Sequence, residues 1–126
     1  MKVLTVKEPW ASLIINGYKM YEFRSWKTKY RGKILIHAGM TLEKDMAERF
    51  SSYNLNYYKG EIIGEATLVD CILVDEEFNK KLHDINPLVY GRSNHVETYA
   101  WKLENICKYD QPIKVKGKLG LWNYEK

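Results

Sequence analysis

The chain has 126 residues, 45% of them hydrophobic and 13% aromatic, with a formal net charge of +4. That is the size of one domain with a core of its own, so residues 1–126 are expected to fold as a single unit without disulfide or metal staples. The composition excludes a largely disordered chain, and the absence of any apolar run near 18 residues excludes a membrane-spanning helix.

The N-terminus carries no signal-peptide pattern, so a cytoplasmic setting is expected. Cys71 and Cys107 are the only cysteines and are read as two free buried thiols. His37, His83 and His95 are scattered, no Cys or His pair has ligand spacing, and no metal or cofactor is expected. Charge is unevenly placed. Residues 1–40 hold eight basic and two acidic side chains (+6), residues 41–77 three and nine (−6), and residues 78–126 nine and five (+4). Brought together, the two basic ends would make a face suited to a phosphate backbone. Ordinary solvated surface charge is the competing account.

Leu4 and Val6 alternate with polar neighbours and predict a short first strand. Pro9 fits the first position of a helix and Gly17 the position just past its end, with Trp10, Leu13 and Ile14 on the buried face. Tyr21 and Phe23 alternate with Glu22 and Arg24, a period-2 strand. Residues 33–38 are a buried β-branched run ended by Gly39. Thr41 is the expected cap of a helix buried through Leu42, Met46, Ala47 and Phe50. Glu61 to Val74 reads as one long strand, with Gly64 and Asp70 marking a bend or bulge.

Asp75 to His83 is an expected short helix, and 84–97 an expected loop. Tyr99 to Leu103 is a strand, Gln111-Pro112 a break, and 113–122 a closing segment. Many strands and few helices predict a β-rich α+β fold, a partly closed barrel with two or three short helices at its rim.

The candidate site is Gly17-Tyr18-Lys19-Met20-Tyr21-Glu22-Phe23-Arg24. On a strand, Glu22 and Arg24 share a side and Lys19 stands at its mouth. A carboxylate between two cations stays ionised, and an arginine fork suits a phosphate or a base edge. The same residues also suit a surface ion pair closing a strand edge, worth about 0–1 kcal/mol. Trp26 and Tyr30, interleaved with Lys27, Lys29, Arg31 and Lys33, are candidates for stacking bases and holding phosphates. Glu65, an acid within an apolar strand, is a candidate general acid or base if it reaches the cleft. Lys114, Lys116 and Lys118 would alternate along one solvated strand edge.

The run Pro9-Trp10-Ala11, then Gly17-x-Lys19-x-x-Glu22-x-Arg24, then Gly32-Lys33-Ile34-Leu35-Ile36-His37-Ala38, resembles the ASCH family, the activating-signal-cointegrator homology domains related to RNA-binding PUA domains. Gly64 to Asp70, Tyr99 to Leu103 and Lys116 to Trp122 resemble the later strands of that family, so the likeness spans nearly the whole chain. The resemblance implies a PUA-like barrel. It also implies a cleft lined by Lys19, Glu22 and Arg24 that binds single-stranded RNA or a modified nucleoside, in RNA processing or translation regulation. One enzymatic branch resembles an amidohydrolase on acetylated cytidine and carries Thr or Ser three residues after the lysine. Here Glu22 stands at that place and cannot replace the hydroxyl nucleophile. Ser25, on a regular strand, would face away from Glu22. A non-catalytic RNA- or nucleotide-binding domain is thus the leading expectation. The first alternative is a small hydrolase, a ribonuclease or nucleoside amidohydrolase, using Lys19, Glu22 and Arg24, with Glu65 as a further catalytic candidate, and the second is a protein-interaction module.

Overall fold

The computed structural model describes residues 1–91 and 94–125. Six strands form one sheet in the order β2-β5-β4-β3-β1-β6: β1 Lys2–Glu8, β2 Tyr21–Arg24, β3 Gly32–Leu42, β4 Glu61–Leu73, β5 Tyr99–Lys114 and β6 Leu121–Asn123. All neighbours are antiparallel except β1 and β3, which run parallel. β2 and β6 are the two ends of this order, so the fold is β-rich α+β with a sheet that does not close into a barrel. The described residues hold four short α-helices, more than expected: α1 Trp10–Ile15, α2 Lys44–Arg49, α3 Glu76–Ile85 and α4 Pro87–Tyr90, with a 3-10 turn at Ser51–Tyr53.

Helix α1 packs on the sheet because its apolar side chains recur at helical spacing. Ile14 and Ile15 join Leu4, Val6, Ile34, Ile36, Ala66, Leu68, Trp101 and Leu103 in the main core. Pro9 offers no side-chain cap to this helix. Glu8 does that work from the end of β1: its buried carboxyl accepts the Ser12 N–H at 2.7 Å and the Tyr58 N–H at 2.9 Å, with the Ser12 hydroxyl alongside. Burial pushes the Glu8 carboxyl above its usual range, and the three hydrogen bonds pull against that. Gly17 follows the helix at φ +83°, a left-handed turn that suits glycine.

Several boundaries differ from expectation, each for a local reason. Gly39 lies inside β3 instead of ending it; an added Cβ would stand 3.1 Å from Thr5 Cγ2, so the glycine marks a close approach of β1. Thr41 therefore belongs to β3, and α2 begins after Glu43 with no side-chain cap and no buried residue of its own. Phe50, just past it, is the buried anchor. Pro112 does not break β5, since the ladder to β4 resumes with Ile113 and Lys114 on Ile62 and Glu61. The closing strand shrinks to Leu121–Asn123, which leaves Lys116 and Lys118 in a loop and not along an edge. Helix α4 arises within the expected loop because Asn86 accepts the Val89 N–H at 3.1 Å and Pro87 opens the first turn. Arg92 and Ser93, from the same expected loop, lie outside the described residues. Cys71 and Cys107 are free thiols, but Cys107 is exposed and Cys71 only half-buried.

The ladder between β4 and β5 shifts register beside Gly64 and again beside Asp70, as well as between Glu65 and Thr67. An added Cβ at Gly64 would collide with Ile15 Cδ1 and stand 2.5 Å from the Cys107 carbonyl oxygen. Gly64→Ala is expected to cost about 1–3 kcal/mol of stability by forcing α1 off the sheet. Urea unfolding of the two proteins measures this directly, and an unchanged midpoint would show that α1 gives way freely.

Candidate nucleic-acid interface

The open side of the sheet is where the charged residues of the Gly17–Arg24 segment gather. Among the described residues β2 pairs only with β5, which leaves Glu22 and Arg24 facing β1 across an unladdered seam. Arg24 spans that seam: its Nη2 donates to the Thr5 carbonyl oxygen at 2.7 Å, and its Nε donates to Glu22 Oε2 at 3.2 Å. Nη1 makes no hydrogen bond among the described residues. On the other side of the carboxylate, Lys19 Nζ donates to Glu22 Oε1 at 2.7 Å and to the Tyr21 carbonyl at 2.6 Å.

Both members of the Lys19–Glu22 pair are buried, at 4% and 8% exposure. Burial alone would push the Glu22 carboxyl up, but the nearby Lys19 and Arg24 charges outweigh it and hold the group below the usual carboxylate range. Burial pushes the Lys19 ammonium down, and Glu22 opposes that shift. The Phe23 and Trp10 rings lie 5.0 and 5.9 Å from Lys19 Nζ and supply further cation–π stabilisation. The expected triad of Lys19, Glu22 and Arg24 therefore does converge, as a buried network.

Two hollows flank this network and share Trp10, Glu22 and Phe23 as their common wall. The larger, about 530 Å³, fills the seam. Its walls are Glu22, Phe23, Arg24, Ser25 and Trp26 from β2 and the residues after it, Thr5 and Lys7 from β1, Trp10 from α1, Gly39, Met40 and Thr41 from β3, and the 118–120 loop. The smaller, about 230 Å³, is lined by Lys19, Val89 and His95 as well as the shared wall. His95 stacks on Phe23 at 3.7 Å. Burial lowers its pKa to about 4, aided by Lys19 and His83, so it is neutral at pH 7.

Trp26 reaches the seam cavity, 38% exposed, with its ring edge-on to buried Trp101 at 4.7 Å. Ser25 reaches it as well, contrary to the expectation from alternation; β2 ends at Arg24, so the two-residue period stops there. The other expected residues lie elsewhere. Tyr30 donates its hydroxyl to the Lys33 carbonyl at 2.7 Å and packs on the main core. Lys33 pairs with Glu65 at 2.9 Å, near the start of β3. Gly39, where β3 meets the cavity, is six residues further along, or about 20 Å of strand. Glu65 therefore does not reach the cleft. Thr5, Lys7, Thr41, His95 and Lys118 are among the lining residues that sequence reading did not place there. Among the described residues no three His, Cys, Asp or Glu side chains gather as a metal site, and no helix is long and apolar enough to cross a membrane.

Comparison with known proteins agrees with this architecture. The ASCH domain family model matches residues 4–115. Activating signal cointegrator 1 of Homo sapiens is 34% identical over 146 residues, covering 98% of this chain and 25% of its own length. The Mus musculus protein of that name is 32% identical over 134 residues, covering 97% of this chain and 22% of its own. The chain thus spans about a quarter of the curated relatives it matches. In structure, the ASCH protein of Zymomonas mobilis superposes with a TM-score of 0.62 at 16% identity, over 99% of this chain and 87% of that one. A tyrosine-to-phenylalanine mutant of the Zymomonas mobilis protein gives 0.54 at 18% identity, over 90% and 74%. These likenesses show the PUA-like fold, and with the family match over most of its length this chain belongs to the ASCH family.

Proposed function

We propose that this ASCH chain is a non-catalytic binder of single-stranded RNA or of a modified nucleoside, and that the seam cavity is where the base enters. The observation that carries this reading is the joining of an exposed tryptophan to an incompletely used arginine inside one hollow. Trp26 offers a face for stacking, which every base can use. Arg24 Nη1 offers donors to a base edge or phosphate, and the second lone pairs of Glu22 accept from a base N–H. A volume of about 530 Å³ lies in the range of small-ligand pockets. Membership of the ASCH family supports an RNA-related role.

The geometry favours binding over hydrolysis. Glu22 is held ionised by two cations, and Glu65 is too far along the sheet to serve as its acid partner. Filter binding of a short single-stranded RNA at two salt concentrations tests the reading. Affinity is expected to fall as salt rises, because phosphate contacts release counterions. No affinity at low salt would refute it.

A further inference from the structure

The mouth of the seam cavity carries two lysines that the base-binding groups do not use. Lys7 comes from β1, two residues beyond Thr5, and both line the cavity. Lys118 comes from the loop before β6, more than a hundred residues later. That loop is held in place. The Val115 carbonyl lies 2.7 Å from His37 Nε2, and the Trp122 indole donates to Thr5 Oγ1 at 3.0 Å. Gly117 leaves no room for a side chain: an added Cβ would stand 2.7 Å from the His37 ring. The backbone on either side of Lys118 is thus tied down, at Val115 and Gly117 before it and at Trp122 after it.

Two ammonium groups at one opening repel each other unless an anion lies between them. Carboxylates do little here. Lys7 meets Glu43 only at 3.7 Å, with both side chains well exposed, and Lys118 has no ion pair among the described residues. Deeper in, Arg24 is already committed to Glu22 and Thr5 through two of its nitrogens. The interior, with Trp10, Phe23 and Trp26 beside the polar groups of Glu22 and Arg24, suits a base, and the doubly cationic rim suits the charge the base carries with it.

We propose that Lys7 and Lys118 form a phosphate-binding pair at the mouth of the seam cavity, so that its ligand is a nucleotide unit with base inside and phosphate at the rim. This rests on the reading of the cavity as a base-binding site, and it assigns to the rim a role separate from Trp26 and Arg24. The same pair would hold the phosphate of a free mononucleotide or of one unit in an RNA strand.

Calorimetric titration of the four ribonucleosides, their 5′-monophosphates and inorganic phosphate at low salt tests it. The probes are added to the intact protein, the Lys7→Ala/Lys118→Ala variant and Trp26→Ala. Both lysines are exposed, so the double variant keeps its fold. At least one monophosphate is expected to bind about tenfold tighter than its nucleoside, as two exposed ion pairs would provide, and the double variant to lose that advantage. Equal binding of nucleoside and monophosphate, or an advantage that survives in the double variant, overturns the phosphate pair and leaves the base cavity standing. Monophosphate binding no tighter than that of inorganic phosphate, lost in the double variant but unchanged by Trp26→Ala, supports the pair and removes the base cavity. No binding of any probe overturns both.

Discussion

Glu22→Leu is expected to lower the free energy of unfolding by about 3–5 kcal/mol, the usual cost of removing one partner from a buried ion pair. Lys19 is 4% exposed, and without Glu22 its ammonium would keep only the Tyr21 carbonyl and two aromatic faces. Arg24 would lose its carboxylate partner as well, though it retains the Thr5 carbonyl. The double replacement Lys19→Met/Glu22→Leu removes both buried charges and is expected to recover most of the loss, since a well-packed apolar pair is often as stable as an ionic one. Guanidinium unfolding of the single and double variants measures the coupling. A loss below about 1 kcal/mol in the single variant would place the pair with exposed salt bridges and contradict its burial.

Arg24→Ala is expected to weaken binding of single-stranded RNA by about tenfold or more, the worth of hydrogen bonds to a charged partner. Lys33→Ala is expected to change it less than about twofold, because Lys33 is paired with Glu65 outside the cavity. Arg24→Lys keeps the charge but not the fork, and should fall between them. Unfolding curves taken alongside separate lost binding from lost structure. Equal weakening by Arg24→Ala and Lys33→Ala would mean that RNA follows the general basic surface and not the seam.

The contrast between Arg24 and Lys33 also shows where sequence reading reaches its limit. Local chemistry was readable. The alternation of Tyr21 to Arg24 placed Glu22 beside Arg24, and the glycine after α1 turned the chain so that Lys19 met Glu22. Gly64 marked an irregularity of β4 because only a missing side chain lets α1 sit so close. The family motif then linked these segments to a known fold. Contacts between distant segments were not readable. Lys7 and Lys118 meet one cavity only because β1 lies between β3 and β6, and no local pattern encodes that order. Lys33 and Tyr30 follow Trp26 closely in sequence, yet the chain between them passes from the seam to the far end of β3. Ser25 was misplaced because alternation was carried one residue past the end of β2. Gly39 resembled a terminator, although a glycine inside a strand equally marks close approach of another backbone.

The seam also gives the open sheet a physical explanation. A fully laddered barrel would fill the gap between β2 and β1 with backbone hydrogen bonds. Here one arginine bridges the gap with its side chain, leaving a hollow beside Glu22 and Trp26. The buried carboxylate helps to hold that arginine, and Lys19 and Arg24 together keep the carboxylate ionised. The stability of this network and the shape of the cavity are therefore one feature.

The most direct test of this account is to map the contact surface by NMR, titrating the ¹⁵N-labelled protein with a short single-stranded RNA. Shift changes are predicted to cluster on Thr5, Arg24 to Trp26, Gly39 to Thr41 and Lys118 to Gly120, the walls of the seam cavity. Changes centred instead on Lys33, Glu65 and Tyr109, or no changes at all, would contradict it.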